Sequence, residues 1–391
     1  MKVISISTDR KIFEPGSAVR ARQVEYGSLF DELHIVVFTG RADERGNRYE
    51  QKTQIAPNVW VYPTNSFSKP SRIFDATRIA RSVVKEIGVS TAQIAAQIVV
   101  TTQDPFETGL VGARLARQTG VRLHVQIHTD FLSPFFARES FLNRFRVHIA
   151  KRVLRQAHAV RVVSKRIADS VIAAKLMKCT PEVLPIFVDV AHLEQVVVDD
   201  AHNLQKKYPQ FNFIILMASR LTKEKNIEFA LDMFAKLVAE YPRTGLVIVG
   251  SGKNARSLHQ RAKSLHIEQS VVFEPWSENL VSYYKTAHVF LVTSNYEGFG
   301  MTLIEAIASG CPVVSTNVGI AQQLLHDGST SPVCEIGDIA CFLDTLAGFI
   351  EQPSARKHVL IEAQNRLGQI VALDKTQYLN AYKSLIERAL L

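Results

Sequence analysis

Residues 294–312 read Ser294-Asn295-Tyr296-Glu297-Gly298-Phe299-Gly300-Met301-Thr302-Leu303-Ile304-Glu305-Ala306-Ile307-Ala308-Ser309-Gly310-Cys311-Pro312. An apolar run, residues 289–293, feeds this segment, and a second, Val313-Val314-Ser315, leaves it. Strand, glycine-containing loop, helix over 302–309, strand: that order belongs to a parallel sheet with helical crossovers. Gly298 and Gly300 let the backbone approach a ligand closely. The helix after Gly300 opens with unpaired N–H groups and the positive end of its dipole, which suits a phosphate. Glu297 in the loop and Glu305 in the helix are expected to face one pocket, where carboxylates accept hydrogen bonds from sugar hydroxyls. Taken singly, the glycines also read as a plain turn and Glu305 as an ordinary helix residue.

The alternation extends to both sides. Residues 213–218, 246–249 and 271–273 read as further strands, with helices over 228–240 and 254–265 between them. Earlier, residues 3–7, 34–38, 59–62, 98–101 and 123–127 form a second set of short runs rich in β-branched residues, separated by helix-like stretches at 72–87 and 107–118. The pattern predicts an α/β chain of two doubly wound, Rossmann-like units, with no sequence repeat between them. Pro185 and Asp199-Asp200 interrupt the periodicity, so the units are expected at 1–187 and 188–374. A last helix near 375–391 carries Tyr378, Tyr382, Leu385, Ile386 and Leu390 on one face and is expected to pack back on the first unit. Ligands of such sheets bind beyond the carboxyl ends of strands, which makes a cleft between two facing units the first place to look.

Two loops at strand ends carry cations or a turn signal. Ser219-Arg220-Leu221-Thr222-Lys223-Glu224-Lys225-Asn226 follows the run 213–218. Arg220 offers a planar fork and Lys225 a mobile point charge, a pair suited to a diphosphate; a solvated basic loop is the other reading. In the N-terminal half, Pro15-Gly16 marks a turn after the first strand, and Ser17 is placed to cap a helix starting near Ala18. His128 ends the run 123–127, with His124 two residues before it.

Composition bounds the class. Of 391 residues, 47% are hydrophobic and 21% charged, which is globular and argues against extensive disorder. The net charge of +9 is uneven: residues 1–187 hold 28 Lys+Arg against 16 Asp+Glu, and residues 188–391 hold 18 against 21. The basic half is suited to an anionic acceptor or a membrane surface. Residues 135–155 concentrate that charge, with Arg138, Arg144, Arg146, Lys151, Arg152 and Arg155 interleaved with Phe135, Phe136, Phe141 and Phe145. Such a basic, aromatic helix suits peripheral contact with an anionic membrane; a core-packing helix with a solvated face is the alternative. No apolar run reaches the roughly 18 residues of a membrane span, and the opening residues read as a strand and not as a secretion signal. Cys179, Cys311, Cys334 and Cys341 lack close pairing and read as free thiols in a reducing cytoplasm.

The C-terminal half resembles the retaining GT-B glycosyltransferases of the glycogen-synthase-like, family 4 (glycosyl transferases group 1) type. The residues that carry it are Ser219-Arg220-Leu221, Glu224-Lys225-Asn226, Val247-Ile248-Val249-Gly250-Ser251-Gly252, and the segment from Glu297 to Val314 with its Glu-x7-Glu spacing. The resemblance implies that Arg220 and Lys225 bind the donor diphosphate and that Glu305 holds the ribose. It places Glu297 beside the donor sugar. Gly298, Phe299, Gly300, Met301 and Thr302 form the phosphate- and sugar-binding loop, Gly250 and Gly252 a turn by the nucleotide, and Pro275-Trp276 the segment that meets the base. In the first half, Gly16 corresponds to a glycine loop near the phosphate or acceptor, and His128 to a histidine that contacts the donor sugar.

The implied partners are a nucleoside-diphosphate sugar and a sugar or lipid-linked acceptor, in glycan, glycolipid or polysaccharide synthesis. No metal, other cofactor or nucleic acid is implied. Glu297, Arg220, Lys225 and His128 are the expected catalytic residues. Three positions depart from the family: Asn226 and Ser331 stand where glycine is usual, and Val318-Gly319-Ile320 replaces a double glycine and its glutamate. A nucleotide-sugar epimerase or phosphorylase on the same fold remains an alternative, as does a basic nucleic-acid-binding protein, although no helix-turn-helix, zinc finger or RNA-binding motif is present.

Overall fold

A computed structural model describes residues 1–391 apart from 43–45, 47, 89–90, 327–331 and the side chains of 91–93. Ser331 therefore lies outside the described residues. The chain packs as two units. The first comprises Met1–Leu132, Ser140–Leu184 and Leu373–Leu391, and the second Ser133–Glu139 and Pro185–Ala372. The crossover falls three residues before the expected one. The short segment 133–139, expected in the first unit, belongs to the second.

The first unit is built on eight strands: β1 (Lys2–Ser7), β2 (Glu32–Val37), β3 (Thr53–Ala56), β4 (Val59–Pro63), β5 (Ile98–Thr102), β6 (Arg122–Ile127), β7 (Ala159–Val162) and β8 (Glu182–Val183). Their order is β3-β4-β2-β1-β5-β6-β7-β8, parallel throughout except for the antiparallel β3. Val3, Ile4, Ile6, Val99 and Val100 are fully buried, as expected of strands covered by helices on both faces. Ser17 caps the helix Ala18–Gly27 by accepting from the Arg20 amide at 3.2 Å. The last helix, Lys375–Glu387, opens with a capping box of Asp374 and Gln377 and packs on this unit, its Tyr382 ring stacked on Tyr26 at 4.6 Å.

The second unit has six parallel strands: β9 (Phe213–Ala218), β10 (Thr244–Val249), β11 (Val271–Glu274), β12 (Val289–Val292), β13 (Val313–Thr316) and β14 (Val333–Cys334), in the order β11-β10-β9-β12-β13-β14. Its core gathers Ile215, Met217, Phe234, Leu246, Leu291 and Phe342. From β9 the chain winds outward to β10 and β11, then returns to place β12 on the other side of β9. The switch point of the sheet therefore lies between β9 and β12.

Two expectations are corrected. Cys334 and Cys341, expected as free thiols, form a disulfide, while Cys179 and Cys311 are free. The turn at Gly337 (φ +90°) and the Asp338 cap fold the seven-residue interval back until the two Cα atoms are 5.8 Å apart. Cysteine usage thus no longer supports a reducing compartment. The single helix expected over 135–155 is two, Pro134–Glu139 and Phe141–Leu154. Ser140 is extended between them (φ −160°, ψ 158°) and caps the second by accepting from the Asn143 amide.

Candidate functional site

In the second unit, the loops after β9 and β12 flank the switch point, the position at which doubly wound sheets take their ligands. The β9 loop runs from Ser219 through a single 3-10 turn, Lys223–Lys225, to Asn226. Asn226 is left-handed (φ +50°, ψ 43°), the conformation that usually selects glycine; asparagine tolerates it better than other side chains. The departure at this position is therefore conservative in backbone terms. The loop is tied to the end of β12: Thr293 Oγ1 donates to the carbonyls of Lys225 (3.0 Å) and Asn226 (3.2 Å), and the Asn295 amide donates to the Glu224 carbonyl at 2.8 Å.

The two cations behave differently. Lys225 Nζ lies 2.5 Å from Glu297 Oε1, with both side chains 17% exposed. Ser294 Oγ donates to the same carboxylate oxygen at 2.8 Å. Glu297 is thus held in place, and the ammonium has further protons for an incoming anion. Arg220 is 74% exposed and touches Glu224 Oε1 at 3.2 Å, where Thr222 Oγ1 also donates at 2.7 Å. A solvated guanidinium on such a weak tether is free to turn toward a phosphate.

Gly300 is the N-cap of the helix Met301–Ala308 and is left-handed (φ +96°), so no side chain caps that helix. Its first amides, from Met301 and Thr302, carry the positive end of the dipole. Phe299 is buried beneath the loop, and its carbonyl accepts from the Ile320 amide at 2.9 Å. Gly319 (φ +53°) makes that approach possible: a Cβ there would lie 2.3 Å from the Phe299 carbonyl oxygen. One glycine of the family's expected pair is therefore present where the Phe299 loop leans on it.

Glu305, one turn into the helix, accepts from Tyr284 Oη at 3.4 Å, and burial pushes its carboxyl above the usual range. Its folded pKa exceeds that in the unfolded chain, so the ionised carboxylate opposes folding at neutral pH. That opposition fades as pH falls into the carboxylate range. Glu305→Gln is expected to raise the unfolding midpoint at pH 7, with the gain shrinking at pH 5. The same variant is expected to bind nucleotide about tenfold or more weakly, since hydrogen bonds to a charged acceptor exceed those to a neutral one. Calorimetry at both pH values with and without nucleotide checks this; a variant less stable at pH 7 would refute the burial argument.

Gly250 and Gly252 follow β10, and the glycine requirement there comes from protein packing. Cβ atoms would stand 1.9 Å from the Ser219 carbonyl oxygen and 2.4 Å from that of Leu221. They are the floor on which the Arg220 loop rests. Pro275-Trp276 leaves the edge strand β11, with Trp276 52% exposed. Its root is fixed by Glu274, whose carboxylate takes an ion pair from Lys207 at 2.8 Å and hydrogen bonds from Tyr208 and Tyr283.

The structure therefore gathers Arg220, Lys225, Glu297, Gly298, Phe299, Gly300, Met301, Thr302 and Glu305 at one switch point, with Gly250 and Gly252 supporting it. Sequence reasoning missed Ser294, Tyr284 and Gly319, along with the segment 133–139: Glu139 accepts from Tyr296 Oη, and Phe136 meets the Tyr296 ring edge-on at 5.5 Å. No local pattern announces these contacts.

Gly16 and His128 lie in the first unit. Gly16 is left-handed (φ +79°), and an added Cβ would meet nothing within 4 Å. His128 follows β6, half-buried, with its Nε2 3.4 Å from Gln126 Oε1; burial and then Arg161 hold its pKa well below the ordinary value.

Comparison with known proteins agrees with this architecture. Residues 16–185 match the glycosyl transferase 4-like domain, and residues 200–366 match glycosyl transferases group 1. The chain belongs to the group 1 glycosyl transferases and has the GT-B fold of two Rossmann-like domains. It is 33% identical over 141 residues to N-acetyl-alpha-D-glucosaminyl L-malate synthase of Bacillus anthracis, covering 36% of this chain and 37% of that one. It is 27% identical over 306 residues to alpha-monoglucosyldiacylglycerol synthase of Streptococcus pneumoniae, covering 75% of this chain and 66% of that one. The matched stretches thus span between about a third and two thirds of these relatives' lengths. The solved structure of Anabaena HepE with UDP and glucose superposes with a TM-score of 0.72 over 98% of both chains, at 19% identity.

Proposed function

We propose that this chain transfers a hexose from a nucleoside-diphosphate sugar to an acceptor hydroxyl, with retention of anomeric configuration. The observation that carries the proposal is the pairing at the β9–β12 switch point: a loop bearing Arg220 and Lys225 opposite an uncapped helix start at Gly300. Cations and oriented amides at one strand edge serve a diphosphate leaving group, whose developing charge they stabilise. The departing phosphate oxygen itself takes the acceptor's proton in a front-face substitution, while Glu297, neutralised by Lys225, orients the sugar and forms no covalent bond. Arg220, Lys225 and the helix dipole supply the positive charge, so no metal is required; activity is expected to survive EDTA, and its abolition would refute this. The relatives named above, an N-acetyl-alpha-D-glucosaminyl L-malate synthase and an alpha-monoglucosyldiacylglycerol synthase, support the same class. They do not favour an epimerase, a phosphorylase or a nucleic-acid-binding protein.

A thermal-shift screen with UDP, GDP, ADP and CMP tests the donor site. One nucleotide is expected to stabilise the protein, by about 2.7 kcal/mol at a hundredfold excess over Kd. No response to any of the four would remove the basis of the proposal.

The acceptor is proposed to be a sugar or a lipid-linked glycan reached at the inner, cytoplasmic face of a membrane. The helix Phe141–Leu154 supports this reading: Phe141 is 84% exposed, Leu142 and Phe145 are exposed, and the Arg144 guanidinium lies 5.0 Å from the Phe141 ring centre. Aromatic wedges flanked by arginines suit an anionic lipid surface. Among the described residues no helix is long and apolar enough to cross a membrane. The protein is expected to sediment with phosphatidylglycerol vesicles but not with phosphatidylcholine vesicles, and Phe141→Ser/Phe145→Ser to stay in the supernatant. Equal sedimentation of wild type and variant would exclude this face.

A further inference from the structure

Arg161 sits on β7 in the interior of the first unit, 3% exposed. Its Nε donates to the Leu184 carbonyl at 3.1 Å, one Nη to Gln126 Oε1 at 2.9 Å, and the other to Tyr378 Oη at 2.9 Å. A guanidinium has donors only, so the carboxamide oxygen of Gln126 must face it. The amide nitrogen of Gln126 then donates to Thr101 Oγ1 and Tyr382 Oη, both at 3.2 Å. Thr101 Oγ1 in turn shares a hydrogen bond with His124 Nδ1 at 2.8 Å.

The remaining arm reaches His128. Its Nε2 lies 3.4 Å from Gln126 Oε1, an atom that only accepts, so Nε2 carries the proton and Nδ1 is left bare. We propose that Arg161 is a positioning residue which, through Gln126, fixes His128 as the Nε2–H tautomer. The ring then presents Nδ1 as a hydrogen-bond acceptor for a substrate hydroxyl. Burial of the ring, and then the positive charge of Arg161, also keep the imidazole neutral, so that it does not become a donor at both nitrogens. Tyr378 and Tyr382 bring the last helix into the same network: the C-terminal residues complete the support of a residue at the end of β6. The inference rests on the reading of His128 as a substrate contact.

The test uses the full chain labelled with 15N-histidine. Long-range proton–nitrogen spectra at pH 7, with His128 assigned through His128→Gln, are expected to show a protonated Nε2 and a bare Nδ1. In Gln126→Leu the two tautomers mix, and kcat falls about tenfold, the loss of one neutral hydrogen bond, with nucleotide Kd unchanged. Gln126→Glu keeps an acceptor for both Arg161 and His128 and is expected to restore the tautomer and part of the rate. A proton on Nδ1 in the wild type overturns the relay, as does an unchanged tautomer in Gln126→Leu. The wild-type spectrum decides even if that variant does not fold. Full activity of His128→Gln would instead overturn the role of His128 while leaving the tautomer result standing, so the two failures are read separately.

Discussion

Gly252→Ala is expected to destabilise the protein by about 2–4 kcal/mol and to abolish measurable nucleotide binding at concentrations that saturate the wild type. The new methyl would sit 2.4 Å from the Leu221 carbonyl oxygen and 2.7 Å from the Leu221 carbonyl carbon and amide nitrogen. Backbone offers no rotamer by which to escape, so the Ser219–Leu221 loop itself must move. That motion breaks the hydrogen bonds from the Leu221 amide to the Ser251 carbonyl (2.9 Å) and from the Asn254 amide to the Leu221 carbonyl (3.1 Å). Arg220 is carried on the displaced loop, so phosphate binding fails together with stability. Gly16→Ala is the control. Its methyl meets open space, and only the left-handed backbone resists, at a cost of about 1–2 kcal/mol. Urea unfolding of the two variants separates steric clash from backbone strain. A Gly252→Ala midpoint at or above that of Gly16→Ala would show that the loop yields easily and that these glycines do not support the site.

The same pair of glycines shows where sequence reading stops. Gly250 and Gly252 were legible only through the family resemblance, which makes them a glycine turn by the nucleotide. Their partner was not, because Leu221 lies about thirty residues earlier and meets them only once β9 and β10 are paired. The ten expected strands are all present, since each is a compact apolar run, most of them buried on both faces, with the edge strand β11 partly exposed. Four strands were not anticipated: β8 and β14 have two residues each, β3 is a four-residue antiparallel edge, and β7 is an interior strand whose apolar run is interrupted by the buried Arg161.

Strand order is a property of pairing and leaves no local trace, so the β9–β12 switch point could be inferred only from the motifs that flank it. Residues 133–139 sit in a stretch whose periodicity is continuous with its neighbours, and only the extended Ser140 marks the change of unit. The disulfide was hidden for a related reason. Cys334 ends a two-residue strand and Cys341 lies in a helix, and a tight glycine turn with a helix cap brings them together. Glu297 and Lys225 were each assigned to substrate, one to sugar and one to phosphate. Their mutual ion pair, across 72 residues of sequence, emerged only in three dimensions.

That ion pair makes Lys225→Ala the most damaging side-chain truncation expected at the site, with kcat/KM reduced about 1,000-fold, or roughly 4 kcal/mol of transition-state stabilisation. Two losses coincide. The leaving diphosphate forfeits an ammonium in a partly desolvated position, where the side chain is only 17% exposed. The carboxylate of Glu297 is also left with Ser294 Oγ as its described side-chain partner, and it repels the incoming phosphates. A double-mutant cycle separates the two. Lys225→Ala/Glu297→Gln removes the repulsion and is expected to recover nucleotide affinity relative to Lys225→Ala. It is expected not to recover kcat, because the neutral amide no longer orients the sugar as the carboxylate does. Lys225→Arg keeps the charge but replaces a compact ammonium by a broad fork, and is expected to fall between wild type and alanine. If Lys225→Ala stays within threefold of wild type, the lysine serves only to neutralise Glu297, and the diphosphate must be held by Arg220 and the Gly300 helix alone.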